Sequence, residues 1–306
     1  MYFIKKILKG IFSIYIISTI SFFIISLIPG DPATAILGVD ATYEQILEFR
    51  SNFGLDEPIL LRYIHWLKNV IMGDFGMSYR YDMPVKDLVL ETLPLTILVS
   101  IISLLIIFFV SVILSFYINS IKNKKIKKIF EIILNISIAV PTFWLGIIFI
   151  FIFSVILNLF ITSYNGTFVS LILPCIIISI PQIAFITLNI KANLYTETRL
   201  DYVKFLYSNG MNKRILNMYI LKNAILTTIP LFGLIILELI TGIVIVEQIF
   251  SIPGIGRLLL TSIATRDIKL LQALIIYTSL VVIIINLIID LLYVSLDKRI
   301  RLGVNK

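Results

Sequence analysis

Few residues in this chain could do chemistry, and their spacing rules out most of what they could do. His65 is the single histidine and Cys175 the single cysteine. A disulfide within the chain is therefore excluded, and no ligand set for zinc can be assembled. Gly254 and Gly256 stand close together, but no strand-like run precedes them. The phosphate-cradling pattern Gly-x4-Gly-Lys-Ser/Thr occurs nowhere, so the chain has no ATP site of its own. No nucleophile stands with a base, and no carboxylates are paired for hydrolysis. No residue is assigned a catalytic or metal-binding role. What remains is polar groups set in hydrocarbon. Glu238 falls in one apolar run, while Asn286 and Asp290, four apart, share a face of another. A central acidic residue costs roughly 2.5–3.5 kcal/mol to insert. Glu238 must then either bond a neighbouring helix or face a path taken by a cationic group. His65 beside Trp66 reads as a surface histidine next to an interfacial tryptophan, not as a ligand.

The elements that position these groups are membrane helices. The chain is 59% hydrophobic and 14% charged over 306 residues, with a mean hydropathy of +1.03. A soluble domain is about 45–50% apolar and about 25% charged, so lipid must be the solvent for most of this surface. Six apolar spans follow in order: Ile7 to Ile28, Leu95 to Ile118, Ile136 to Phe160, Thr167 to Leu188, Leu226 to Val246 and Leu270 to Leu292. The first covers about 33 Å, enough to cross. It is longer than a cleavable signal segment and no small-x-small site follows it, so it reads as a retained helix. Backbone in lipid must satisfy its own hydrogen bonds, which makes the fold an all-α polytopic bundle. Eighteen of the 26 basic residues fall in one set of alternate loops and in both termini, and the other eight in the opposite set. The basic side is cytoplasmic, and so are both termini.

Three regions lie between the spans. From Pro29 to Pro94 runs the one sizeable outer segment. Thr42-x-x-Gln45 resembles a capping box, followed by Ile46, Phe49 and Phe53 on one face and a stop at Gly54. A second amphipathic helix runs from Pro58 through Leu60, Ile64, Leu67 and Ile71. In the spans themselves, Pro141, Pro174 and Pro181 punctuate the third and fourth, and each removes a backbone donor. Such kinks either line a path or are purely structural. Lys191 to Lys222 is polar and basic yet helical in period, with Val203, Leu206 and Tyr207 on one face. Asn209-Gly210 closes that helix. Asn212 caps a second, whose apolar positions are Ile215, Met218 and Tyr219. This is a helix-turn-helix elbow on the water side, exposed to a partner. The domains are thus 1–94 (first span, 7–28, plus the outer segment), the core 95–293 with the elbow 191–222, and a basic tail 294–306.

Several stretches then line up with one family. They are Pro29-Gly30-Asp31-Pro32, Phe53-Gly54-Leu55-Asp56-x-Pro58 with Arg62-Tyr63-x-x-Trp66-Leu67, and Gly73-Asp74-Phe75-Gly76-x-Ser78. Further on come Pro141-x-Phe143-Trp144-Leu145-Gly146, Asp201-Tyr202-Val203 with Gly210, and Val246-Glu247-x-x-Phe250-Ser251-x-Pro253-Gly254-x-Gly256. Asn286-Leu-x-x-Asp290-x-x-Tyr293 ends the set. The chain resembles, from first helix to C-terminus, the permease subunits of bacterial ABC importers for dipeptides, oligopeptides and nickel. The resemblance implies the type I importer permease fold in a bacterial cell membrane. It also implies three kinds of partner: a second permease, identical or different, two ATPase subunits and an external substrate-binding protein. ATP would be hydrolysed by the partner. The elbow, with Asp201, Tyr202, Gly210, Lys213 and Arg214, would be the helix that docks on the ATPase. Pro141, Pro181, Glu238, Asn286 and Asp290 would be candidates for the path, and Glu247, Pro253, Gly254 and Gly256 for an outer gate. Two departures stand out. Lys204-Phe205-Leu206 replaces the Glu-Ala-Ala of importers generally, and Lys298 stands where the branch has proline. The family's pattern also has a small or neutral residue where Glu238 stands.

Peptide and nickel cargo are hard to separate from these residues, with a mild preference for peptide. A transporter driven by an ion gradient would need internal repeats with matched broken helices, which are not evident. A membrane scaffold or receptor would leave the Gly210 elbow and the prolines unexplained.

Overall fold

The computed structural model describes residues 2–27, 30–38 and 40–296. Among the described residues the chain is helical, the sole β feature being an isolated antiparallel bridge between Met77 and Pro84. The helices are α1 (Tyr2–Leu27), α2 (Pro32–Leu37), α3 (Tyr43–Asn52), α4 (Ile59–Ile71) and α5 (Val85–Ser120). They continue with α6 (Lys124–Ala139), α7 (Thr142–Phe149) and a π-helix (Ile150–Ile156). Then come α8 (Val169–Glu197), α9 (Asp201–Ser208), α10 (Lys213–Leu226), α11 (Ile229–Ile249), α12 (Ile255–Ala264) and α13 (Ile268–Leu296). Five of these are long and apolar enough to cross a membrane, or six if one bent pair counts as a span. That is an all-α, multi-pass membrane protein. Pro29 and the tail from Asp297 onward, Lys298 included, lie outside the described residues.

Two compact units divide the chain. The first comprises Met1–Thr96 and Pro253–Ile284, the second Ile97–Ile252 and Ile285–Lys306. In the first unit, local capping builds the short helices. Asp31 accepts from the Ala33 amide at 3.2 Å and starts α2 with Pro32 at its first position. Thr42 and Gln45 form a reciprocal capping box on α3, at 2.9 and 3.3 Å. Val85, Leu88 and Val89 of α5 then bury against Ile255 and Leu258 of α12 and Leu270, Ala273 and Leu274 of α13. That packing begins α5 ten residues before the span read from Leu95, and the helix continues through Pro94.

The second unit is arranged around α8. Thirteen of its residues are buried, from Ser170 to Leu194, and the helix runs unbroken through Pro174 and Pro181. Helices α6, α7, α10 and α11 all pack on it. Small residues permit the close approaches: a Cβ on Gly146 of α7 would come within 3.2 Å of Ile249 on α11. One expectation fails here. The stretch read as a single span from Ile136 to Phe160 is broken at Val140–Pro141, and the two halves are bent by 103°. Pro141 cannot donate to the turn before it, and Val140 is forced extended by the proline that follows. Only together do α6 and the α7–π-helix stretch reach the length and apolarity of a span, and they do so bent. Lysine-rich α6 is a separate amphipathic helix.

Candidate functional site

The elbow is built from the end of α8, then α9 and α10, all in the second unit. Gly210 adopts a φ of +75° and closes α9 through its amide on the Tyr207 carbonyl at 3.1 Å. Only glycine, or at some cost asparagine, takes that conformation readily. Asn212 then caps α10, accepting from the Arg214 amide at 2.9 Å. Tyr202 fixes the angle of the elbow: its hydroxyl donates to Glu197 at 2.7 Å and accepts from Asn223 of α10 at 3.0 Å. Asn193 reaches Thr228 at 3.1 Å and ties the base of the two long arms. Asp201 is exposed at the first turn of α9 and pairs with Lys204 at 2.9 Å, which holds its carboxyl below the usual range.

Helix α10 has apolar residues on two faces and buries one of them. Leu216, Ile220 and Ala224 point inward, whereas Ile215, Met218 and Tyr219 are exposed. On α9, Val203 is buried, but Tyr207 is 68% exposed and Phe205 67%. The two helices carry apolar residues on both sides; α10 packs its inward side on α8, and α9 packs on α10. Phe205, Tyr207, Ile215, Met218 and Tyr219 are left exposed on the elbow, which also carries Lys213 and Arg214.

The path candidates are only partly brought together. Pro181 precedes Gln182 on α8, whose side-chain amide donates to the Glu238 carboxylate of α11 at 2.7 Å. Glu238 is thus a tie between two helices, yet its side chain remains exposed. Pro141 starts α7, which packs on both α8 and α11. Asn286 is exposed on α13, one turn from Ile289, whose side chain leaves no room for a Cβ on Gly233 of α11 (2.6 Å). Asp290 lies on α13, but its side chain is outside the described residues. In the third span the π-helix buries Ser154 with its hydroxyl unpartnered among the described residues. Periodicity gives no sign of such a turn. Single π-turns are rare and concentrate at functional sites.

The outer-gate residues are split between the units. In the second, Glu247 is fully buried near the end of α11, its carbonyl accepting the Ile252 amide at 2.8 Å. The next turn ends with Ser251 at φ +53°. In the first, Gly254 caps α12 in extended conformation, and the Ile255 amide donates to Thr96 at 2.9 Å. Gly256 is buried on the same helix, and Pro253 precedes the cap. The largest omission of the sequence reading is Asp267. It is fully buried and accepts from the Ser78 hydroxyl at 2.5 Å, the Arg80 amide at 3.1 Å and the Leu270 amide at 3.1 Å. This carboxylate clasps the loop before α5 to the turn between α12 and α13. Gly30 has an equally specific reason: at φ +121° its missing Cβ leaves the space that the Arg266 guanidinium fills.

Comparison with known proteins agrees with this architecture. Residues 111–302 match the family described as "Binding-protein-dependent transport system inner membrane component". Residues 1–101 match that described as "Binding-prot-dependent transport system membrane comp, N-term". The chain is 32% identical over 302 residues to the "Nickel import system permease protein NikB" of Staphylococcus aureus (strain USA300), covering 97% of this chain and 90% of that one. The protein of the same name in strain MRSA252 is 32% identical over 311 residues, covering 99% and 93%.

Proposed function

This chain belongs to the family of inner-membrane components of binding-protein-dependent transport systems, the permeases of ABC importers, and we propose that its cargo is nickel, free or chelated. The observation that carries the nickel reading is similarity along nearly the whole chain to permeases named for nickel import. The mild preference for peptide has no comparable support and gives way to it.

In this reading the chain forms half of a path and pairs with a second permease, two ATPase subunits and an external binding protein. The partner ATPases hydrolyse ATP, and this subunit contributes no catalytic group. It lies in the bacterial cell membrane with both termini in the cytoplasm, which puts the elbow there as well. The exposed Phe205, Tyr207, Met218 and Tyr219 then dock in an ATPase groove. Lys213 and Arg214 favour the same role. Both sit at the N-terminus of α10, where the helix dipole disfavours cations. Neither forms an ion pair among the described residues. A receiving surface with acidic groups would supply what the chain itself does not. Glu238, held by Gln182, offers a carboxylate that a divalent cation or an ammonium group could pass.

Uptake of radioactive nickel and of a labelled dipeptide, in a deletion strain complemented with this gene, tests the reading. Restored nickel uptake with no change in dipeptide uptake is expected. Dipeptide uptake alone would overturn the cargo and leave the permease role standing.

A further inference from the structure

The first unit contains a cavity of about 340 Å³ that none of the roles above uses. It lies among α1, α3, α4 and the first turn of α13, at the small end of the range for ligand sites. Three donors line it without a hydrogen bond or ion pair among the described residues. Gln272 is 3% exposed, and its side-chain nitrogen is buried and unbonded. Lys269 is half-buried and makes no ion pair, and half-buried Arg62 makes none either. A buried donor left unmade is costly, and two like charges held near each other add to the cost. Arg62 and Lys269 are close enough for their like charges to oppose one another.

Lys269 is also held in place. Its ammonium lies 5.3 Å from the Phe53 ring centre and 5.6 Å from that of Tyr79. Its stem runs so close to Gly76 that a Cβ there would come within 3.0 Å of it. A cation fixed in this way has lost its side-chain freedom before any ligand arrives, which favours binding. The carboxylates beside it are already engaged. Glu57 bonds His65 at 3.2 Å, Asp74 accepts the Gly76 amide at 2.8 Å, and Asp267 serves its own three donors. Glu57 and Asp74 offset the charges of Arg62 and Lys269 across the lining, so a singly charged anion suits the site better than a multiply charged one. Phe22 and Trp66 add apolar wall, with ring centres 5.1 Å apart.

We propose that this cavity binds a small organic monocarboxylate, its oxygens on Lys269, Arg62 and Gln272 and its apolar body against Phe22 and Trp66. The assignment does not depend on the transported cargo. Trp66 serves as the reporter, because Trp144 is the chain's other tryptophan. A Trp144→Phe permease in lipid nanodiscs is titrated with 4-methylpentanoate, with neutral 4-methylpentanamide and with inorganic phosphate. The acid should give a saturable change in Trp66 fluorescence, while the amide and phosphate give none. Lys269→Met should weaken binding about tenfold or more, as expected for one lost charge-assisted bond. Lys269→Arg should retain it. The acid–amide comparison needs no cavity variant, so misfolding of Lys269→Met cannot obscure the result. No saturation with the acid, equal binding of the amide, or phosphate binding as tight as the acid would each overturn the proposal. So would undiminished binding by a folded Lys269→Met protein.

Discussion

At the scale of the residue, Gly210 was legible from the sequence because its requirement is local. Asn209-Gly210 between two periodic stretches means a helix end, and the observed φ of +75° meets that reading. Nothing lies within 4 Å of a Cβ built at this position, so strain arises from the backbone alone. Gly210→Val should cost on the order of 1–2 kcal/mol and reduce transport while the protein still reaches the membrane. Gly210→Asn, which tolerates the left-handed region, should transport nearly as wild type. Uptake assays beside membrane immunoblots measure both, and normal uptake with valine in place would remove the elbow from the mechanism. Asp267 shows the opposite case. Its Ser78 partner is 189 positions away, and no spacing rule connects them. Ser78→Ala should leave a buried carboxylate short of one donor and lower stability by about 1–3 kcal/mol, read as a lower melting temperature of the purified permease. Glu238→Gln keeps the size and bonding of the side chain but removes its charge. Cationic cargo should be taken up less, with assembly and ATPase stimulation intact. Unchanged uptake would leave Glu238 with a purely structural role as a tie between helices.

At the scale of the element, the long apolar helices were readable because a membrane span has few alternatives. The capping box at Thr42 and Gln45 was equally plain. The bend in the third span went unread for a physical reason: α6 is apolar enough on one side to continue the hydrophobic run across Pro141. Composition alone cannot show a 103° bend. Which face of α10 turns inward was not legible, because Ile215, Met218 and Tyr219 and Leu216, Ile220 and Ala224 each line one side of the helix. Only packing on α8 decides between the two sets. Orientation of the elements can be tested directly. In a Cys175→Ala background, cysteines at Lys128 and Asn217, both exposed, should be shielded from an impermeant thiol reagent in whole cells. One at Glu48, exposed in the outer segment, should react. The reverse pattern would overturn the orientation and with it the cytoplasmic elbow.

At the scale of the whole molecule, the chain is a permease that requires others to work. Its described surface leaves apolar side chains exposed along nearly every long helix, as lipid and partner helices demand. Its elbow leaves Phe205, Tyr207 and Met218 uncovered. The central claim is that ATP hydrolysis elsewhere drives cargo past this chain through that elbow. The most direct measurement is nickel accumulation in proteoliposomes holding the full transporter with its binding protein, with and without ATP on the ATPase side. Wild-type assemblies should accumulate nickel only with ATP, and assemblies with Gly210→Val should hold their subunits together yet accumulate far less. Accumulation that proceeds without ATP, or that follows an imposed ion gradient instead, would contradict the account.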